Sequence, residues 1–328
     1  MELSDSLRVR AVNDAPVRQD GQFVLYWMIA YRRPSHNFAL DRAVDWAVAL
    51  QRPLVVLEAL RSGYRWASDR LHRFVIDGMR DNAEAFGPAP ALYYPYVEPE
   101  SGQGKGLLEA LAAQAAAIVT DDYPCFFLPT MIETAGRRVG VRLEAVDSNG
   151  ILPMRVADKA YPAAVHYRRH LQKHIRTSLK DFPREAPFEG KSLPRLRALP
   201  SEITSRWPPV AGNLLSGSTE ALAQLPIDHA VPVVAARGGH KSASVALNRF
   251  VAIVGEYDQL HNHPDRDGTS RLSPYLHFGH ISSHEVFTRV VRRERWSISK
   301  LGQVSGAREG FWGASAGTEA FLDQLLTW

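Results

Sequence analysis

The first 150 positions alternate between short apolar runs and longer stretches with helical spacing. "FVLYWMI" (23–29) is a continuous apolar, β-rich run, and "NFALDRAVDWAVAL" (37–50) then repeats its apolar positions every three or four residues. "PLVVLEAL" (53–60) predicts a buried strand. The helix after it carries Leu71, Phe74, Val75, Gly78, Met79, Asn82 and Phe86 on one face. "ALYYPYV" (91–97), "AAIVTDD" (116–122) and "VRLEAV" (141–146) continue the series, with helical segments between them. Strands alternating with helices of this length predict a doubly wound parallel sheet. Such sheets bind ligands outside the carboxyl ends of their strands.

From about 151 to 240 the alternation dissolves. Prolines at 153, 162, 183, 187, 194, 200, 208, 209, 226 and 232 punctuate the segment, which fits a long connector packed over the surface. After 240 the strand pattern is gone and helices dominate. In "SASVALNRFVAIVGEYDQL" (242–260), Leu247, Phe250, Val254, Tyr257 and Leu260 form one stripe, so Tyr257 faces the interior or a buried ligand. The expected organisation is an α/β domain over 1–150, a connector over 151–240 and the start of an all-helical domain over 241–328. "TEAFLDQLLTW" has helical spacing at Phe321, Leu322, Leu325 and Leu326, yet stops at Trp328 without a cap glycine or a basic last turn. That ending predicts a chain truncated at its C-terminus.

Composition narrows the class. Hydrophobic residues make up 45% and charged residues 23% of 328 positions, ordinary values for a globular protein with two real cores. A net charge of +4 permits a nucleic-acid partner without demanding one. The one cysteine, Cys125, excludes an internal disulfide and fits a reducing compartment. No apolar run approaches the ~20 residues that cross a bilayer, and the opening 21 positions lack a secretory h-region. A cytoplasmic protein is expected, without membrane contact.

Several motifs compete for the chemistry. "SGQGKG" (101–106) follows a strand and precedes a helix, but it has neither the dinucleotide spacing nor the Lys-Ser/Thr ending of a phosphate loop. We read a flexible turn there. "HNH" (261–263) has no surrounding nuclease pattern. His280 and His284 have metal-pair spacing, but "SSHE" predicts a helix start with Ser282 as N-cap and Glu285 at the third position. His280 then precedes the helix, and no metal site is expected. "HYRRHLQKHIRTSLKDFPR" (166–184) carries six Lys or Arg against one acid, a solvated face or a phosphate-facing one. In "DGTSRLS" (267–273), hydroxyls at Thr269, Ser270 and Ser273 stand beside the Arg271 guanidinium, with Ser273 as expected N-cap and Pro274 in the first turn. An ordinary capped helix and a diphosphate site both fit these residues.

Family resemblance adds to this. "DGTSRLSPYLHFGHIS" resembles the flavin-binding signature of the photolyase and cryptochrome family. "VLYWMIAYRRPSHNFAL" with "RPLVVLEAL" is similar to the start of class II cyclobutane pyrimidine dimer photolyases, "SNGILPMRVADKAYPAAVHYRRHLQKHI" to their passage into the linker, and "GEYDQLHNHP" to the tyrosine-containing helix before the flavin turn. The resemblance implies an α/β antenna domain, a connector and an incomplete helical FAD-binding domain. It implies FAD as cofactor, held by Tyr257 near the phosphates and by Thr269, Ser270, Arg271, Leu272 and Ser273 along the diphosphate and ribose. Phe321 takes a substrate-stacking position. Gln324 stands where photolyases usually carry a glutamate against the damaged bases, and that departure keeps a cryptochrome-like photoreceptor open as the alternative. The implied activity, for the full-length protein, is light-driven repair of pyrimidine dimers in DNA by a monomer, with the truncated chain expected to be weak or inactive by itself. Arg289, Arg292, Arg293, Arg295 and Lys300 around Trp296 are further candidate phosphate contacts, although a solvated helix C-terminus matching the macrodipole explains this run better. A second, antenna chromophore, deazaflavin or folate, is also implied by the family, though no motif here selects one.

Overall fold

All five apolar runs become parallel strands of a single sheet. The computed structural model describes residues 7–328, so the first six positions of the N-terminal stretch lie outside the described residues. The sheet half consists of β1 (Val9–Ala11), β2 (Phe23–Met28), α1 (Phe38–Leu50), β3 (Leu54–Leu60), α2 (Asp69–Phe86), β4 (Ala91–Val97), α3 (Leu107–Ala112), β5 (Ala115–Asp121), α4 (Leu128–Arg138) and β6 (Leu143–Val146). The strand order is β1-β6-β5-β2-β3-β4, parallel except for β1, which runs antiparallel to β6. Every residue of β2 and β5 is buried, as in a sheet covered on both faces. The order reverses between β2 and β5, which makes their carboxyl ends the switch point of the fold. β1 was not foreseen. Val9 and Arg10 are half-buried, Ala11 is exposed, and the three carry no readable period.

Local signals account for the element ends. Asn37 caps α1, its Oδ1 accepting the N–H groups of Ala39 (3.0 Å) and Leu40 (3.3 Å). Gln51 closes the helix in the left-handed region, at φ 51°.

The rest of the chain is helical: α5 (Ala164–Ser178), α6 (Ser201–Arg206), α7 (Gly212–Ser216), α8 (Thr219–Leu222), α9 (His240–Ile253), α10 (Tyr257–Leu260), α11 (Ser273–His277), α12 (Ser283–Arg293) and α13 (Ala316–Thr327). Segment 151–240 works as a strap between two cores. Leu171 and Ile175 of α5 join the helical core, while Leu199, Ile203 and Trp207 join the sheet core. The expected stripe on α9 and α10 is buried at Leu247, Phe250, Val254 and Tyr257, although a 3-10 turn over Val254–Glu256 separates the two helices.

The halves meet at the segment joining α11 to α12. Gly279 sits at φ +72°, and a Cβ there would stand 1.8 Å from the carbonyl oxygen of Ala30, just past β2. The fully buried Arg33 guanidinium donates to Gly279 O (3.1 Å), to Ser148 O and Oγ (both 3.3 Å) and, through Nε, to His36 O (3.1 Å). His280 presses against α2 at Gly78, where a Cβ would come within 2.4 Å of Nε2. Close backbone approach and buried hydrogen bonds therefore set the angle between sheet and helices.

Candidate functional site

At the switch point, Asp121 ends β5. Its carboxylate accepts the N–H groups of Ile29 (2.8 Å), Ala30 (2.7 Å) and Tyr31 (2.9 Å) and the Tyr26 hydroxyl (2.6 Å). Burial pushes the carboxyl above its usual range, and these four donors oppose the push. The loop leaving β2 is thus held on β5, and beside it opens a cavity of about 430 Å³. Its walls are largely aromatic, with Tyr64, Trp66, Tyr123, Phe126, Phe127 and Phe278, and its charged residues are Arg32, Arg61 and Arg65. Arg32 is already paired with the buried Glu58 at 3.0 Å, and Arg65 lies over the Trp66 ring at 4.5 Å. Phe126 takes φ +61° and stands edge-on to His277, ring centroids 5.6 Å apart.

A second cavity, of about 670 Å³, lies between α3 and α4 and shares Ala59, Leu60, Arg61, Phe127 and Met131 with the first. "SGQGKG" forms one of its edges. The loop is not a free phosphate cradle, because Glu98 fills it: the carboxylate accepts the N–H groups of Gly102, Gly104 and Ser62, each at 3.0 Å, and the Ser62 hydroxyl at 3.2 Å. These donors hold Glu98 below the usual carboxylate range against the opposing effect of burial. The loop is therefore an ordered anion nest occupied by its own acid, and not the flexible turn read from sequence.

The flavin-type turn lies on the helical half. Thr269, Arg271 and Ser273 are exposed, Ser270 is half-buried and Leu272 is fully buried in the core. Arg271 adopts φ +57° and its Nε donates to Asp267 at 2.9 Å. The Ser270 hydroxyl accepts the N–H of Leu272 at 3.3 Å. One expectation needs correcting: Ser273 is not the N-cap but the first helical residue, Leu272 holds the cap position, and no side chain caps α11. That helix has five residues, so its dipole adds little and any anion binding falls to the hydroxyls and the guanidinium. The donor set fits a phosphate: outward hydroxyls and an arginine on a turn anchored by Leu272. The acid Asp267 beside them works against it.

Tyr257 and Phe321 are brought together, but inside the core. The Tyr257 ring packs edge-on against Phe250 (5.6 Å) and Phe321 (5.4 Å) and stacks on His261 (4.7 Å). Phe321, expected at a stacking position, is 4% exposed and lies 4.4 Å from Phe250. Gln324, three residues on, is exposed.

The histidines of this region support the fold. Ser282 caps α12 as expected, its hydroxyl accepting the N–H of Glu285 at 2.9 Å. His280 precedes the helix, accepts the N–H of Gly239 through Nδ1 (2.9 Å) and stacks on Phe74 (5.2 Å). Burial lowers its pKa to about 3. His284 lies edge-on between Phe38 and Phe182 and is likewise pushed down by burial. Of the basic residues on α5, Arg168 grips both oxygens of Asp323 (2.6 and 2.9 Å) and Arg169 donates twice to Ser305 O, while Lys173 remains exposed.

Sequence reasoning missed the residues of the carboxyl edge. The only signal was "IVTDD", a pair of acids directly after a buried run.

No family model matches the chain. Its sequence is similar to deoxyribodipyrimidine photo-lyases: 27% identical over 280 residues to that of Methanothermobacter thermautotrophicus (84% of this chain, 57% of the relative). The match to Potorous tridactylus is 26% over 301 residues (89% and 53%), and to Oryza sativa subsp. japonica 28% over 292 (84% and 54%). The chain spans a little over half the length of these relatives. A bacterial class III photolyase from Agrobacterium tumefaciens superposes with a TM-score of 0.63 at 16% identity, over 93% of this chain and 57% of the other. An archaeal photolyase from Sulfolobus tokodaii, solved with two FAD molecules, superposes at 0.52 and 14% identity, over 83% and 57%. The sheet with its appended helices is thus the fold of photolyases, and the sequence is similar to deoxyribodipyrimidine photo-lyases across more than four fifths of the chain.

Proposed function

We propose that the chain serves a light-driven DNA lyase of the class II photolyase kind, acting on cyclobutane pyrimidine dimers as a cytoplasmic monomer. The observation that carries this reading is the similarity to deoxyribodipyrimidine photo-lyases from an archaeon, a marsupial and a plant along 84–89% of the chain. Among the described residues no helix is long and apolar enough to cross a membrane.

In this reading the turn 269–273 holds the diphosphate of FAD. Thr269, Ser270 and Ser273 donate hydroxyl protons to phosphate oxygens, Arg271 supplies the charge, and Leu272 anchors the turn in the core. Bound and reduced, FAD supplies a light-excited electron to the dimer. Tyr257 of α10, packed against Phe250 and Phe321, is assigned the flavin phosphate region in the same reading. Exposed cations, Lys173 on α5 and Arg292 and Arg295 at the end of α12, meet DNA phosphates, which makes binding salt-dependent. Gln324, exposed on α13, hydrogen-bonds the damaged bases through its amide in this reading. The aromatic cavity at the switch point takes a second, light-harvesting chromophore.

The test is direct. The purified chain is supplied with FAD, photoreduced and illuminated with a thymine-dimer oligonucleotide, and intact thymines are quantified against a dark control. Light-dependent recovery of thymines supports the reading. Absence of bound flavin, or bound flavin without dimer loss, sinks it.

A further inference from the structure

We propose that the joint between sheet and helices is operated by acid: proton uptake by His280 and His284, with His36 beside them, releases the segment linking α11 to α12 from the sheet half while both cores stay folded.

Hydrogen-bond roles carry the inference. His280 is fully buried and its Nδ1 accepts the Gly239 N–H at 2.9 Å, so the hydrogen of the neutral ring sits on Nε2. A second proton has to go to Nδ1, where it would face the Gly239 N–H donor to donor. Nε2 meanwhile lies against Gly78 of α2 and has no partner among the described residues. His284 is fully buried as well, wedged edge-on between Phe38 of α1 (5.3 Å) and Phe182 of the strap (5.0 Å). Among the described residues neither of its nitrogens has a hydrogen-bond partner, so an added proton finds no acceptor. Either imidazolium gains its hydrogen bonds by reaching water. That movement takes the 279–285 segment off Ala30, Gly78 and Phe38.

The surrounding charges set the direction. Around His280 they are Arg32 and Arg33, from the loop after β2, and His240 of α9. On α2, Asp77 is committed to Arg73 (3.0 Å) and the Gly238 N–H (3.3 Å), and Asp81 to the Lys241 N–H (3.0 Å). Around His284 they are Arg8, Arg33 and His36. Glu285 is the acid of the joint, but its Oε2 stands 3.9 Å from His36 Nδ1 and 4.0 Å from His240 Nδ1, beyond hydrogen-bond reach. At His36, burial together with Arg33 and His240 outweighs the pull of Glu285 and Glu185 and holds the pKa down. Burial likewise lowers His280 to about 3 and pushes His284 well below 6.5. Folded-state values below that of an open histidine favour the closed joint above pH 6.5, and the advantage is lost as pH falls toward them. For each histidine freed, the ratio of open to closed joint rises about tenfold per pH unit in that window.

Hydrogen exchange of the purified chain, followed by mass spectrometry and corrected for intrinsic rates, is the test. Between about pH 7 and 5, the opening constant of segments 29–38 and 278–286 should rise by roughly 10²–10³ as His280 and His284 take up protons. Segments within the two cores, β5 and 247–253 of α9, should keep their protection. His284→Phe keeps a ring between Phe38 and Phe182 and forfeits no hydrogen bond. His280→Gln keeps an acceptor for the Gly239 N–H but cannot take the proton. Each should cut the rise by about tenfold or more, and the pair should abolish most of it. Where His280→Gln folds poorly at neutral pH, His284→Phe alone decides. Joint protection that stays constant on acidification, or a rise unchanged in His284→Phe, overturns the proposal. So does simultaneous loss of protection in β5 and α9, which is ordinary acid unfolding.

Discussion

Gly78→Ala is a demanding test of how the two halves are joined. In an exposed helix interior this substitution stabilises by about 1 kcal/mol, since glycine loses more backbone entropy on folding. Here the new Cβ would stand 2.4 Å from His280 Nε2, 2.9 Å from Cδ2 and 3.0 Å from Cε1. The ring cannot retreat freely, because Nδ1 accepts the Gly239 N–H and the ring is stacked on Phe74. Relief by separating α2 from His280 counts as overpacking, typically 1–3 kcal/mol. Relief by rotating the ring orphans the Gly239 N–H, a further 1–3 kcal/mol. After the helical gain of about 1 kcal/mol is subtracted from either cost, Gly78→Ala is expected to cost about 0–2 kcal/mol. Urea unfolding at constant slope, with thermal melts beside it, measures this. The decisive arm is His280→Ala. In that background the clash is absent, and Gly78→Ala should become neutral or stabilising. If Gly78→Ala stabilises the otherwise unaltered chain, or costs the same with and without His280, the contact does not constrain the junction.

Further outcomes follow from the same geometry. Burial lowers the folded-state pKa of His280 to about 3 and of His72 to about 4, against 6.5 when unfolded, so the stability they contribute is present above pH 6.5 and lost as pH falls toward those values. The slope is about 1.4 kcal/mol per pH unit for each histidine, and melts between pH 7 and 4.5 should flatten by one such increment in His280→Gln. Arg33→Lys loses the planar fork that reaches Gly279 O and Ser148, and should lower stability by about 2 kcal/mol or more in the same melts. Asp121→Asn presents an amide where four donors converge, and a loss of about 2–4 kcal/mol is expected. On the proposed reading, Gln324→Glu puts a carboxylate on the exposed face of α13 and should raise dimer-oligonucleotide repair several-fold, since charged hydrogen bonds exceed neutral ones. Unchanged repair there would remove Gln324 from the site.

The sheet was legible because each parallel strand is built on an apolar run, broken by Glu58 in β3 and Glu144 in β6, and burial on both faces demands such runs. The capping of α12 was legible because Ser282 and Glu285 act within one turn. β1 was not, being three residues, one of them exposed, paired to a strand about 135 positions away. Ser273 misled as a cap because Arg271 turns left-handed and brings Leu272 to the helix start, a backbone event that residue type does not announce. "SGQGKG" lacked the signature of a phosphate loop, yet its N–H groups do converge on an anion. The anion is Glu98, and only the folded chain brings it there. The histidines looked like chemistry because their burial between Phe74, Phe38 and Phe182 depends on long-range contacts.

The junction through Arg33, Gly279 and His280 has an optical consequence. Resonance transfer between two pigments depends on their separation and on the mutual angle of their transition dipoles. A pigment on the sheet and a flavin on the helices would inherit both quantities from hydrogen bonds and backbone contacts that leave little room for rotation. Loosening that junction would then dim the transfer of excitation before it altered either pigment's own binding.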